Sequence, residues 1–168
     1  NLKAAGVLSP EKLRVMPVPE IARLIRPSGY YNAKARKLQA MTTWLYDSCR
    51  DDISRLQNYR TEELRKSLLT VHGIGPETAD SILLYAVGKP VFVIDTYTRR
   101  IFSRLGITPV KDTYSEWQNL LTSGLPENVP SFNEYHALLV RHAKTHCRTR
   151  PICAGCPLFD ICLHNEAN

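Results

Sequence analysis

The sequence of 168 residues predicts an all-α protein, and three observations support this prediction. Apolar residues recur at helical spacing along most of the chain, whereas the alternation typical of strands is almost absent. Proline and capping residues stand where helices should begin, and glycine stands where they should end. A hydrophobic content of 43% is enough to build a core, which excludes a disordered chain.

The periodicity predicts nine helices, with boundaries good to about two to four residues. Pro10 suits the first turn of a helix, where its missing N–H costs nothing, while Asn32 and Thr61 should cap or open later helices. Gly88 and Gly106 should end the helices before them. The predicted helices span residues 1–6, 10–15, 18–25, 33–49, 61–71, 76–87, 96–105, 113–123 and 131–146.

The charge of the chain favours an anionic partner. Lysine and arginine number 22 against 16 aspartates and glutamates, which gives a formal net charge of +6. Nucleic acid is the first candidate partner, although an even spread of this charge over the surface would steer nothing. No apolar run approaches the roughly 18 to 20 residues that span a bilayer, so we expect a cytoplasmic protein, associated with the nucleoid in a prokaryote.

Four of the five cysteines lie close together, at Cys147, Cys153, Cys156 and Cys162. Their spacing, C-x5-C-x2-C-x5-C, contains one C-x2-C pair, whereas a structural zinc site usually has two. A disulfide framework is disfavoured because an intracellular protein is kept reduced. One compact loop with four thiols best suits a [4Fe-4S] cluster, with zinc or no metal as alternatives. We expect Cys49 to be a buried small hydrophobe.

A glycine turn, His72-Gly73-Ile74-Gly75, separates two predicted helices, and Pro76 begins the second. The two glycines permit positive φ and leave backbone amides uncovered, which would suit one DNA phosphate at the amino end of a helix. Ile74 should point inward and fix the turn to the core. A plain corner between two helices remains the alternative.

The stretch "LLTVHGIGPETADSILLYAVGKPVFVIDTYTRRIFSRLGI" resembles the helix-hairpin-helix DNA glycosylases of the endonuclease III superfamily. The segments "RPSGYYNAKARKL" and "NEYHALLVRHAKTHC" make the resemblance closest to the endonuclease III-related branch that includes 3-methyladenine DNA glycosylase III. The residues that match in order and spacing are Gly73, Gly75, Thr78, Ala79, Asp95 and Arg99 or Arg100.

This resemblance implies a two-lobed glycosylase fold with a cleft between the lobes. Residues 1–90 would form a helical-barrel lobe with the hairpin, and residues 91–168 would carry the catalytic aspartate helix and the iron–sulfur loop. The family loop reads C-x6-C-x2-C-x5-C, so the first gap is one residue shorter here. The resemblance also implies further amino-terminal helices before residue 1.

The resemblance assigns Asp95 as the catalytic carboxylate, which would stabilise positive charge on the sugar and activate water. A cap for the following helix is the simpler role, and both can hold.

Glu77 occupies the position of the lysine with which bifunctional relatives form an imine, so we expect hydrolysis without lyase activity. A bifunctional lyase and a catalytically silent iron–sulfur DNA-binding protein are the alternatives. The expected substrate is duplex DNA with a damaged base, most simply an alkylated purine, bound by a monomer.

DNA contacts are expected from the hairpin and from basic side chains. Lys144 falls near a pocket lysine of the related branch, although a surface phosphate contact would explain it as well. Tyr30 and Tyr31 should pack near the core rather than touch a base. The residues expected to contact DNA are Gly73, Ile74 and Gly75 through their amides, and Arg99, Arg100, Arg141 and Lys144 through their side chains.

Overall fold

A computed structural model describes residues 1–165, and within this range the chain forms helices and loops but no strand. The all-α prediction is therefore confirmed. The chain divides into two compact units, residues 1–79 and the residues from 80 onward. The predicted division into lobes after residue 90 stays a prediction. Among the described residues, no helix is both long enough and apolar enough to cross a membrane.

The first unit is built on one long helix. Its helices are α1 (Pro10–Val15), α2 (Val18–Leu24), α3 (Tyr31–Cys49) and α4 (Thr61–Leu69), with 3-10 turns at Arg26–Ser28 and Ile53–Asn58. Helices α1 and α2 both pack on α3. The buried residues between them are Leu13 of α1, Ile21 and Ala22 of α2, and Ala35 of α3. Cys49 is buried as predicted.

The second unit packs three helices around aromatic residues. Helix α5 (Pro76–Ser81) runs into a π-helical segment, Ile82–Val87, which ends at Gly88 in the left-handed conformation. The other helices are α6 (Thr96–Arg104), α7 (Tyr114–Thr122) and α8 (Val129–Thr145), followed by a 3-10 turn at Phe159–Ile161. The rings of Phe92 and Phe132 meet edge to face with centroids 5.4 Å apart.

The predicted first helix, residues 1–6, is wrong, because the chain forms only a single turn there. The Ala5 N–H donates to the Asn1 carbonyl at 2.9 Å, but Gly6 then adopts a φ of 66°. The Val7 N–H bonds the Leu2 carbonyl at 3.0 Å across this glycine. This pattern is a helix-terminating Schellman motif, so the segment is too short to propagate a helix.

Two other helix starts differ from the predictions. Helix α3 begins at Tyr31, so Asn32 lies within its first turn and does not cap it. Tyr30 precedes the helix with a φ of 48° and is 89% exposed, so the prediction that it packs in the core is wrong. Tyr31 packs against the first core as predicted. Helix α8 begins at Val129, earlier than predicted, because Asn128 caps it.

The predicted helix 76–87 is α-helical in its first half and π-helical in its second. The sequence gives no signal for this change, since the apolar run "ILLYAV" suits either geometry. The π-helical segment contacts α8.

Two adjacent leucines on α8 provide a matched test of this packing. Leu139 is 7% exposed in the core, whereas Leu138 is 41% exposed. We expect Leu139→Ala to lower the free energy of unfolding by about 2 to 4 kcal/mol, because it removes buried methyl groups and leaves a cavity. Leu138→Ala should cost less than about 1 kcal/mol. Denaturant unfolding followed by circular dichroism measures both, and equal losses would contradict the packing of α8.

Candidate functional site

The glycine turn is confirmed as a tight hairpin between α4 and α5. Gly73 has a φ of 80°, a conformation that favours glycine over any other residue. The Ile74 N–H donates to the Val71 carbonyl at 3.0 Å, so this amide closes the turn. No atom lies within 4 Å of the position that a Cβ of Gly75 would occupy. The backbone is therefore bare at Gly75.

A lysine of α3 lies against this hairpin. A Cβ on Gly73 would overlap the aliphatic stem of Lys37, and the lysine itself is exposed. The hairpin thus has a cation beside it that sequence reasoning missed. No local signal could have identified Lys37, because the two residues are far apart in the sequence and only the fold of the first unit brings them together.

Asp95 lies at the start of α6 in a partly buried position. Its Oδ1 accepts a hydrogen bond from the Thr98 N–H at 2.7 Å, which makes Asp95 the cap of this helix. Its Oδ2 lies 3.5 Å from Nε2 of His136, and its side chain is only 12% exposed. The capping role is therefore present, and it also fixes the direction of the carboxylate.

The charge of Asp95 is maintained despite its surroundings. Burial by itself raises the pKa of the carboxyl, but His136 and the hydrogen bonds from Thr98 outweigh it, so the pKa lies below its ordinary value. Asp95 is therefore ionised at neutral pH. Because a depressed pKa favours the folded state only while the group is charged, this contribution is present above the unfolded pKa and disappears as the pH falls through the folded pKa.

His136 was not identified from the sequence, although it lies on the buried face of α8. Its other ring nitrogen, Nδ1, is hydrogen-bonded to the hydroxyl of Tyr85 on the π-helical segment. Burial, followed by the charge of Asp95, raises the pKa of this phenol. The three side chains therefore form one continuous chain of polar contacts within the second unit.

Glu77 is exposed in the first turn of α5. Further along the same helix, Asp80 is fully buried and accepts a hydrogen bond from Gln118 Nε2 at 3.0 Å. The same amide donates to the Phe92 carbonyl at 2.6 Å. This contact ties α5 to α7, and sequence reasoning did not single out either side chain.

The four predicted DNA-contacting cations have different surroundings. Arg99 donates to Asp112 at 2.6 Å, and Arg100 donates through Nε to the Cys147 carbonyl at 2.8 Å. Both guanidinium groups therefore bind protein atoms in this structure. Arg141 and Lys144 are exposed on α8.

The four cysteines of the carboxy-terminal loop line one cavity. Apolar side chains form much of its wall: Ile101, Leu105, Pro151, Ile152 and Leu158. All five cysteines of the chain are free thiols. Within residues 1–165, no three His, Cys, Asp or Glu side chains are arranged to hold one metal ion. The polar part of the lining consists of Arg104, His142, His146 and His164 beside the four cysteines.

Arg104 of α6 fixes the start of this loop and was missed by sequence reasoning. Its Nη1 donates to Cys147 Sγ at 3.2 Å and to the Arg148 carbonyl at 2.7 Å, while Nη2 donates to the Thr149 carbonyl at 3.1 Å. Arg104 thus contacts both the sulfur of Cys147 and the backbone that follows it.

Comparisons with known proteins agree on one family for this chain. The family model of the HhH-GPD superfamily of base excision DNA repair proteins matches residues 1–127. A protein of Methanocaldococcus jannaschii with the provisional name DNA repair glycosylase is 39% identical over 164 residues, which cover 97% of this chain and 74% of that protein.

Two solved structures have the same fold. A non-covalent complex of endonuclease III with DNA matches with a TM-score of 0.75 at 26% identity, covering 92% of this chain and 68% of that one. A 3-methyladenine DNA glycosylase of H. pylori, bound to 1,N6-ethenoadenine, matches with a TM-score of 0.73 at 29% identity. That match covers 85% of this chain and 73% of the other.

Proposed function

Since this chain belongs to the HhH-GPD superfamily of base excision DNA repair proteins, we propose that it is a DNA glycosylase that releases a damaged base by hydrolysis with Asp95 as its catalytic carboxylate. The observation that carries this proposal is the state of Asp95. A carboxylate that is only 12% exposed and still ionised is positioned to act on a developing positive charge.

The chemistry follows from that charge. Cleavage of an N-glycosidic bond builds positive character on the deoxyribose, and a fixed negative charge in a water-poor site stabilises it more strongly than water would. The same carboxylate can orient a water molecule and accept its proton as the water attacks the sugar. The Thr98 N–H fixes one oxygen of Asp95, which leaves free lone pairs on both oxygens for this role.

Hydrolysis rather than lyase chemistry is supported by Glu77. In the resemblance described above, this is the position of the lysine that forms an imine with the sugar, and a carboxylate cannot form one. The exposed side chain of Glu77 lies in the first turn of α5, where a negative charge also suits the helix dipole. We therefore propose a monofunctional glycosylase that leaves an abasic site.

An alkylated purine is the proposed substrate. The structural match to a 3-methyladenine DNA glycosylase supports this choice, and so does the resemblance of several segments to the same branch. A base must leave the duplex before its glycosidic bond can be reached. Tyr30 is an exposed aromatic side chain, and stacking of such a ring into a disturbed base step is one way to stabilise the opened duplex.

We propose that DNA is bound mainly through its backbone. The hairpin offers a bare approach at Gly75 with Lys37 beside it, and α8 presents Arg141 and Lys144 to solvent. Cations of this kind make affinity fall as salt rises, because they displace counterions from phosphates. Arg99 and Arg100 are held by protein groups, so their role in this proposal is to position α6.

A [4Fe-4S] cluster is the proposed cofactor. Cys147, Cys153, Cys156 and Cys162 would hold it, because all four line one cavity. Four cysteine thiolates are the usual ligands of such a cluster, and this loop supplies four cysteines. When bound, the cluster links four parts of the loop covalently and stabilises its fold. We propose that the protein acts as a monomer.

Substitution of the two hairpin glycines distinguishes a role in folding from a role in binding a ligand. We expect Gly73→Ala to destabilise the protein by about 1 to 2 kcal/mol, because its backbone is left-handed. Gly75→Ala should change stability by less than about 0.5 kcal/mol, since its Cβ would meet open space. Thermal unfolding measures both.

Gly75→Ala should nevertheless weaken binding to a short undamaged DNA duplex, since the methyl group stands where a phosphate would approach. Fluorescence anisotropy measures the dissociation constant. Unchanged binding by a stable Gly75→Ala variant would contradict the hairpin as a phosphate site.

Base release can be separated from strand cleavage with two duplex substrates: DNA methylated with dimethyl sulfate and an oligonucleotide carrying 1,N6-ethenoadenine. We expect strand breaks only after hot alkali, which cleaves abasic sites. Asp95→Asn should keep the helix cap and lower the rate by at least about a hundredfold, because the charge is lost. Breaks without alkali, or covalent trapping of the protein by borohydride, would show a lyase instead.

The cluster is tested by metal analysis of protein purified without oxygen. We expect about four iron atoms and four sulfide ions per chain. Cys162→Ser should lower the iron content, whereas Cys49→Ala should not, because Cys49 is buried in the first unit. About one zinc ion per chain would overturn the cluster assignment.

A further inference from the structure

His136 lies on the buried face of α8. Among the described residues, the other buried side chains of this helix are apolar. The neighbouring residues on this face are Phe132, Leu139 and Ala143. His136 is 9% exposed, and its Nε2 has no hydrogen-bond partner closer than the Asp95 carboxylate at 3.5 Å. A leucine would fill this position without burying a polar nitrogen. Packing alone therefore does not explain the imidazole, and its position beside Asp95 suggests that it acts on this carboxylate.

Tyr85 determines which ring nitrogen of His136 carries the proton. Its hydroxyl is hydrogen-bonded to Nδ1, and the two rings lie 5.9 Å apart between centroids. When the phenol donates to Nδ1, the proton of the neutral imidazole lies on Nε2. This N–H then faces Oδ2 of Asp95 and favours the ionised carboxylate.

The π-helical segment Ile82–Val87 brings Tyr85 to this position. Its wider turn contacts α8, and π-helical turns inside helices occur often at functional sites. Tyr85 is 52% exposed, so the chain of contacts runs from solvent through a buried imidazole to the carboxylate.

We propose that Tyr85 and His136 are positioning residues that hold Asp95 ionised and oriented for base release. This inference rests on the proposed function of Asp95. The pair makes no covalent bond and transfers no proton: the N–H on Nε2 donates toward Oδ2 while Asp95 acts on the sugar and the water. The separation of 3.5 Å is long for a hydrogen bond, and such contacts often shorten when substrate is bound.

Two titratable side chains among the described residues interact with Asp95. His136 faces it from α8, and Tyr85 lies on the π-helical segment, where the charge of Asp95 helps to raise the pKa of the phenol. Thr98 of the same helix also binds Asp95 but does not titrate. A change in the acidic limb of the pH profile on substitution of His136 therefore reports on this pair.

The experiment measures single-turnover release of 1,N6-ethenoadenine or 3-methyladenine from acidic to alkaline pH. We expect His136→Leu to lower the maximal rate about tenfold to a hundredfold, with half-saturating concentration unchanged, because orientation is lost and binding is not. The acidic limb should move to higher pH, because His136 no longer opposes the effect of burial, which raises the pKa of Asp95, and the hydrogen bonds from Thr98 oppose it alone.

His136→Gln supplies an amide N–H of similar reach and should recover most of the rate. Tyr85→Phe should give an intermediate loss, and combining it with His136→Gln should add little, since both act through the same contact. Tyr59→Phe is the matched control, because this exposed tyrosine belongs to neither the proposed site nor the hairpin. Circular dichroism shows whether each variant is folded.

A second readout is independent of activity. Carbon-detected NMR follows the titration of the Asp95 carboxyl in the wild-type protein and in His136→Leu, and the midpoint should rise in the variant. If the wild-type protein releases no base, the proposed function is wrong. The NMR titration still tests whether His136 lowers the pKa of Asp95. An unchanged midpoint, or an unchanged rate and pH profile in His136→Leu, would overturn the pair.

Discussion

The arrangement of the second unit depends on keeping one carboxylate charged while most of it is withdrawn from water. Burial alone favours the neutral form of the carboxyl group. Asp95 retains its charge because the Thr98 N–H, the amino end of α6 and His136 all favour the ionised form. The positions of α6 and α8 are thus coupled through the chemistry of this group.

The carboxy-terminal loop has little regular structure, so few of its carbonyl groups accept hydrogen bonds within helices. Two arginines of α6, Arg100 and Arg104, donate to carbonyl groups at and after Cys147. Planar guanidinium groups with several donors are well suited to hold irregular backbone. Arg100 was predicted from the sequence to be a DNA contact, and in this structure its guanidinium group binds the protein backbone.

The hairpin combines two glycines with different physical roles. Gly73 is required by its left-handed backbone, whereas Gly75 has an ordinary backbone with nothing beside it. A glycine without a conformational reason suggests close approach of a ligand, and Lys37 provides a positive charge next to the same turn. Shape and charge therefore agree at this position in the first unit.

The sequence by itself determined what depends on neighbours along the chain. Apolar periodicity predicted most helices, Ser9-Pro10 and Gly88 marked ends correctly, and cysteine and glycine spacing identified the loop and the hairpin. The errors near Gly6 and Asn32 arose where a local turn or a different flanking residue prevailed.

Only the tertiary structure decided which distant side chains meet. His136 faces Asp95 and Tyr85, Lys37 covers Gly73, and Arg104 reaches Cys147 across 43 positions of sequence. Periodicity shows which face of a helix is buried, but not what that face will contact. Contacts of this kind depend on how helices pack in three dimensions, so a buried histidine looks like any other core position until the fold is known.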